Sequence, residues 1–295
     1  MTNNESKHLF LISSYPKSGN TLLRIILSSL FFSQDGKTNL EKILIDQLES
    51  IDRLLMIESI CRDDYFKLND LNILYKYHLK IKEKSNFRFS EDFSFFKTHH
   101  ARINFQNRPY ITDSFLRGYI YLIRDPRDIV VSWANHANIS IERSADEILN
   151  PARCIGWSGK HLKFPDTIKP LSLISNWENH VNSWTSKSTN VPMMIIKFED
   201  LITKKKLIIL DIIDFFKKNY GIKILNLDQK LKNILETTNF DYLHKIEEKY
   251  GFGERLIGKF FNKGTKNQWI NKLTKDQSKK IKDKFSSTMT KYGYL

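Results

Sequence analysis

Three short apolar runs, Leu9–Ser13, Tyr119–Ile123 and Met193–Lys197, each lead into a stretch where apolar residues return at helical spacing. Those stretches fall near Asn20–Phe32, Arg127–Asn138 and Glu199–Lys218. A fourth run, Phe93–Lys97, ends at the polar cluster Thr98-His99-His100. Runs this short and continuous suit strands buried on both faces, and helices that follow them cover a parallel sheet. Between the first and fourth runs lies a mostly helical stretch, about Thr38 to Lys84. Leu171–Lys187 also predicts a helix, and a last one starts near Thr274. Beyond Tyr250 the pattern gives way to a loop bearing Gly and Lys. No repeat or Pro/Gly-rich linker divides the chain. The pattern predicts one α/β domain over residues 1–295, a central parallel sheet flanked by helices.

Composition narrows the class. The chain is 41% hydrophobic and 13% aromatic, which suits a sizeable core and argues against disorder despite a net charge of +14. Two cysteines, Cys61 and Cys154, make neither a disulfide framework nor a Cys-based metal site, which predicts a reducing compartment. The polar start Met1–His8 does not read as a signal peptide, and no run reaches the ~18 apolar residues of a membrane span. The run Leu207–Phe216 is broken by Asp211 and Asp214. These features predict a cytoplasmic protein. The positive charge admits nucleic acid, an anionic membrane surface or a small anionic ligand as partner. Lys204–Lys206 and Lys279-Lys280 lie on helix-like stretches without interleaved aromatics, so nucleic acid is not the first choice.

In parallel sheets, ligands sit beyond the carboxyl ends of strands. Here that means just after Ser13, Lys97, Ile123 and Lys197. After the first strand comes Tyr15-Pro16-Lys17-Ser18-Gly19-Asn20-Thr21, followed directly by the apolar helix from Leu22. A phosphate asks for backbone N–H groups, a positive helix end and a cation. Gly19 lets an oxyanion approach the backbone, Ser18 and Thr21 add hydroxyls, and Lys17 adds charge. A Pro/Gly turn capped by Asn20 is the plainer alternative. The common nucleotide P-loop does not fit, because Lys17 precedes Gly19 and no earlier glycine exists.

Tyr15–Thr21 resembles the 5′-phosphosulfate loop of the PAPS-dependent sulfotransferases, whose usual string is Tyr-Pro-Lys-Ser-Gly-Thr-Thr-Trp. The resemblance implies a P-loop-like fold and, as co-substrate, PAPS (3′-phosphoadenosine 5′-phosphosulfate). Lys17, Ser18, Gly19, Asn20 and Thr21 would hold its 5′ end. Asn20 replaces the usual Thr, and Leu22 stands where Trp stacks on adenine. Arg124-Asp125-Pro126-Arg127-Asp128 through Ser132 resembles the family's 3′-phosphate motif, which assigns that phosphate to Arg124 and Ser132. Arg127 and Asp128 match structural positions. Lys97-Thr98-His99 resembles the segment of the catalytic base, mapping it to His99, with Lys97 neutralising charge at the transferring group.

Later matches follow in order. Thr238-Asn239-Phe240 resembles the adenine-contacting Thr-Ser-Phe. Asn262-Lys263-Gly264 and then Trp269 resemble a loop over the 3′-phosphate, with Asn262 in place of its Arg and Arg255 or Lys259 as candidates to compensate. Phe198 begins a Tyr-Glu-Asp-Leu-like segment without the hydroxyl. Trp177, His180 and Trp184 share one helix face and predict a packed core stripe. Their likeness to the family's Trp-x-x-His-x-x-x-Trp helix implies membership rather than chemistry.

The resemblance implies sulfuryl transfer to a hydroxyl or amine, with His99 as general base and Lys17 stabilising the leaving phosphate. Successive strand residues point to opposite sides, so His99 shares a side with Lys97 and His100 does not. No metal is implied, since no ligand cluster of recognisable spacing occurs. The acceptor, small molecule or glycan, would be read by Thr38–Lys84, Arg102–Arg117 and Asn138–Pro170. At the family's C-terminal dimer motif this chain has Ile270, Thr274, Lys275 and Lys279, keeping only the threonine. That predicts a monomer or a dimer through another surface. The alternative class is a non-catalytic polyanion- or nucleotide-binding protein that retains the fold.

Overall fold

The structure is a computed structural model describing residues 9–38, 40, 45–47, 64, 70–73, 75–76, 93–156, 171–186, 190–254, 260–261 and 264–295. Most of the stretch expected to be helical between Thr38 and Lys84 lies outside the described residues, as do Arg255, Lys259, Asn262 and Lys263. The strands are β1 (Leu9–Ser14), β2 (Asp46–Gln47), β3 (Ser94–Thr98), β4 (Asn104–Phe105), β5 (Arg108–Pro109), β6 (Leu116–Ile123), β7 (Cys154–Gly156), β8 (Leu171–Leu173) and β9 (Met193–Lys197). The helices are α1 (Asn20–Phe31), α2 (Pro126–Ala137), α3 (Ile141–Leu149), α4 (Trp177–Thr185), α5 (Phe198–Thr203), α6 (Lys205–Tyr220), α7 (Leu227–Thr237), α8 (Phe240–Tyr250) and α9 (Lys275–Lys291).

Five strands form the main sheet in the order β2-β3-β1-β6-β9. β1 runs parallel to β3, pairing Leu9 with Ser94 and Ser13 with Thr98, and β2 runs parallel to β3. All six residues of β1 are buried. Both of its faces are covered, which is why its sequence is a continuous apolar run rather than an alternation. Each fully buried Leu or Ile there contributes about 2 kcal/mol.

The chain divides into two compact units. The first comprises Met1–Tyr15, Asp46–Tyr121 and Asn150–Met193. Its core stacks Phe93 on Phe95 and sets Tyr119 edge-on to Trp184, whose backbone oxygen accepts from the Tyr119 hydroxyl. The segment 171–187, expected to be one helix, instead begins as strand β8, antiparallel to β7. Asn176 then caps α4 by accepting from the Asn179 N–H. Leu171-Ser172-Leu173 is a three-residue alternation, too short to register against the longer helical period.

The second unit comprises Pro16–Ile45, Leu122–Leu149 and Met194–Leu295. Within it, Lys230 reaches the end of α1 and donates to Leu30 O at 2.9 Å, closing an otherwise open carbonyl. Pro126 opens α2 beneath an Asp125 cap, and Thr274 with Gln277 forms a capping box on α9. The single helix expected over 199–218 is two, α5 and α6, broken at Lys204. No glycine or proline marks that break.

Candidate active site

The loop after β1 opens the second unit. Lys17 (φ 68°) and Gly19 (φ 95°) both take left-handed backbone around Ser18. Gly19 directly precedes α1, and no side chain caps that helix start. An uncapped start presents N–H donors and the positive end of the helix dipole to an anion. The Ser18 hydroxyl is buried without a hydrogen-bond partner among the described residues.

Gly19 is required twice over. Its φ favours glycine, and a Cβ there would come within 2.5 Å of Phe198 Cδ2. The Phe198 ring in turn carries the Arg124 guanidinium at 4.2 Å. Arg124 Nη1 donates to Lys17 O at 2.9 Å, tying the end of β6 to the loop, while its buried Nε finds no partner among the described residues. Burial lowers the Arg124 pKa from its usual value, and the carboxylates of Asp128, Glu199 and Asp125 oppose that shift. Lys17, Gly19, Arg124 and Phe198 are thus one packed cluster.

Around it, Thr21 donates to Glu254 Oε2 at 2.8 Å, and the same carboxylate receives Arg24 Nη1 at 2.5 Å. Arg127 is held by Asp125 and Tyr294 O and stacks over Trp269 at 3.9 Å. Asp128 accepts from the N–H groups of Asn267 and Trp269. Both therefore do structural work. Glu199 accepts from Asp125 N and from the Tyr294 hydroxyl, and burial raises its pKa. Ser132 stands half-buried in the second turn of α2. Asn20 and Leu22 are buried in the first turn of α1. Phe240 packs where a side chain on Gly264 (φ 54°) would lie. Thr238 is fully buried, donating to Ile234 O and receiving Lys205 Nζ on its carbonyl at 2.6 Å. Lys263 lies outside the described residues.

The second cluster belongs to the first unit. His99 follows β3 directly and is 7% exposed. Its Nδ1 lies 2.8 Å from Ser14 O, and a carbonyl oxygen can only accept. Nδ1 therefore carries a proton, and in the neutral ring the lone pair is on Nε2. Lys97, paired with Ile12 across the sheet, is also buried. His100 turns into the body of the unit, stacked on Tyr110 at 4.1 Å, with Nε2 3.1 Å from the Tyr75 hydroxyl.

Sequence reasoning did not single out Arg24, Glu254, Glu199 or Tyr294. Arg24 carried a signal as a charge inside the apolar run Leu22–Leu27, and Glu199 as a member of the Tyr-Glu-Asp-Leu-like segment that begins at Phe198.

Residues 7–293 match the profile of the sulfotransferase domain. The chain belongs to the sulfotransferase domain family. It is 27% identical over 177 residues to sulfotransferase 2A6 of Mus musculus, a match covering 58% of this chain. The chain spans about half, 55%, of the length of that relative. An amine sulfotransferase of Oryctolagus cuniculus is 20% identical over 284 residues, covering 94% of this chain and 79% of the relative. Among solved structures, a mouse sulfotransferase complexed with PAP has a TM-score of 0.59 at 18% identity, covering 96% of this chain and 84% of the other. A retinol dehydratase in complex with retinol and PAP gives 0.60 at 18%, covering 96% and 82%. These likenesses confirm the α/β fold with its central parallel sheet.

Among the described residues no group of three or more His, Cys, Asp or Glu could hold a metal ion, and no helix is long and apolar enough to cross a membrane.

Proposed function

We propose that residues 1–295 act as one PAPS-dependent sulfotransferase domain. The observation that carries this reading is the loop Pro16–Thr21. It joins an uncapped helix start, a buried hydroxyl with no partner among the described residues and a glycine whose missing side chain is filled by the ring supporting Arg124. Those features fit a 5′-phosphosulfate. Lys17, Ser18, Gly19, Asn20 and Thr21 bind that end. Arg124 and Ser132, with Lys263 and Gly264, bind the 3′-phosphate. Leu22, Phe198, Thr238 and Phe240 form the adenine side.

His99 Nε2 takes the proton of an acceptor hydroxyl or amine as the acceptor atom bonds to sulfur. The sulfur–oxygen bond to the phosphate breaks, and PAP (3′-phosphoadenosine 5′-phosphate) leaves with the bridging electron pair. Lys17 offsets the charge that develops on that oxygen, and Lys97 the charge of the transferring group. Most of the rate comes from positioning and electrostatics rather than covalent chemistry. The free thiol of Cys154 suits a reducing, cytoplasmic setting. Lys279 pairs with Asp283 of its own helix at 2.5 Å, which favours a monomer or a dimer that does not use the common C-terminal motif.

The test is thermal melting with PAP and with AMP, followed by PAP release from PAPS in the presence of pooled small-molecule and glycan acceptors. Binding of PAP at about 100 times its Kd adds roughly 2.7 kcal/mol. AMP, lacking the 3′-phosphate, should shift melting far less. Equal shifts would remove the 3′-phosphate role of Arg124 and Ser132. PAP binding without any release from PAPS would instead support a non-catalytic nucleotide-binding protein.

A further inference from the structure

Trp177, His180 and Trp184 are all fully buried, as a core stripe should be. Two of them also spend their ring N–H groups on the segment that carries His99. β3 ends at Thr98, and the four residues after it take backbone partners from outside the main sheet. His180 Nε2 lies 3.0 Å from His99 O, and Trp184 Nε1 donates to His100 O at 2.9 Å. The Ala101 N–H donates to Leu173 O at 2.8 Å, and the Arg102 N–H donates to Ser183 Oγ at 2.9 Å. Three of these partners stand on α4 and the fourth on β8, just before it.

The His180 bond has a fixed sense. Since the His99 carbonyl can only accept, His180 carries its proton on Nε2, and Nδ1 accepts from the Tyr121 hydroxyl at 2.9 Å. Tyr15 packs edge-on against the same ring at 5.4 Å. The geometry points to His180 as a positioning residue for His99, with the Tyr121 hydroxyl satisfying the other ring nitrogen. This rests on the reading of His99 as the general base.

His99 is thereby gripped at both ends, its ring by Ser14 O and its carbonyl by His180. Two bonds on opposite sides of the Cα remove the rotations that would swing Nε2 away from an acceptor. Misplacement by about 1 Å in such a site costs on the order of a hundredfold in rate. A hydroxyl can donate or accept, so it is the His99 carbonyl that holds the His180 proton on Nε2, and the Tyr121 hydroxyl then donates to the bare Nδ1. Burial keeps the ring neutral, with its pKa down to about 3, so protonation does not disturb this arrangement at working pH.

The test is nitrogen-15 NMR of histidine-labelled protein, which reads tautomers without any turnover. In the parent chain, His99 should be protonated on Nδ1 and His180 on Nε2. His180→Phe should convert His99 to a mixture of tautomers, and His180→Gln, whose amide can still donate, should restore one. Trp184→Phe, which removes the bond one residue further on, should leave the His99 signals as they are. With PAPS and any acceptor that is turned over, His180→Phe should cut kcat about tenfold to a hundredfold while PAP affinity stays within about twofold. Unchanged His99 signals in His180→Phe would overturn the proposal, as would equal disturbance by Trp184→Phe. If His180→Phe does not fold, the parent chain serves: a His180 found protonated on Nδ1, with Nε2 bare against the His99 carbonyl, refutes the bond on which the positioning rests. A parent chain that releases no PAP from PAPS sinks the sulfotransferase reading, and the histidine signals still decide the positioning role.

Discussion

Gly19→Ala should destabilise the protein by about 3 kcal/mol, from two separable causes. Left-handed backbone costs a residue with a Cβ roughly 1–2 kcal/mol. The new methyl would also sit 2.5 Å from Phe198 Cδ2, and forcing a side chain into a filled space costs about 1–3 kcal/mol. The ring cannot easily yield, because it is 5% exposed and lies under the Arg124 guanidinium at 4.2 Å. A four-chain denaturant cycle separates the causes: parent, Gly19→Ala, Phe198→Ala and the double variant. Phe198→Ala alone should cost about 3–4 kcal/mol by leaving a cavity. In that background the methyl has room, so Gly19→Ala should cost only the backbone part, about 1–2 kcal/mol. The coupling of about 1–3 kcal/mol between the two sites is the signature of the close approach. Strictly additive costs would refute the packing argument, and a Gly19→Ala chain as stable as the parent would refute both parts.

The elements that carry the site were legible because their signals are local. β1 and β6 are buried along nearly their whole lengths, so each reads as one apolar run. The loop Pro16–Thr21 compresses its chemistry into six adjacent residues. Signals that depend on distant partners were not legible. Leu171–Leu173 is a strand only because Cys154–Gly156 pairs with it, and three residues hold too little pattern to announce that. Thr21 and Arg24 meet Glu254 across more than two hundred residues, and Tyr294 meets Glu199 across 95. Helical periodicity placed His180 in the core correctly. It could not show that a buried imidazole must find polar partners, nor that these would be Tyr121 and the carbonyl of His99.

Glu254→Ala should lower stability by about 2 kcal/mol, less than a fully buried pair, because the Glu254 side chain is 29% exposed while that of Arg24 is 4%. Among the described residues Arg24 would keep Ile45 O as its partner, and an unchanged melting temperature would refute the assignment. Lys205 tests the pH dependence. Burial lowers its pKa from 10.5 to about 8, so between those values the unfolded chain holds a proton that the folded chain has released. Stability due to Lys205 therefore rises with pH across that window, and the parent should gain on Lys205→Met between pH 8 and 10; a constant gap counts against it. The adjacent histidines should separate turnover from stability. His99→Ala should abolish sulfuryl transfer while PAP binding stays within a few-fold, since its ring is held by Ser14 and its proposed role is toward the acceptor. His100→Ala should instead cost about 2–3 kcal/mol, through the lost stack on Tyr110 and the bonds at Tyr75 and Ala101. Its turnover per folded molecule should remain near that of the parent. The opposite pattern, with His100→Ala inactive and His99→Ala merely unstable, would mean that the base is the histidine turned into the protein body. That outcome would break the strand-register argument and the family-based assignment together.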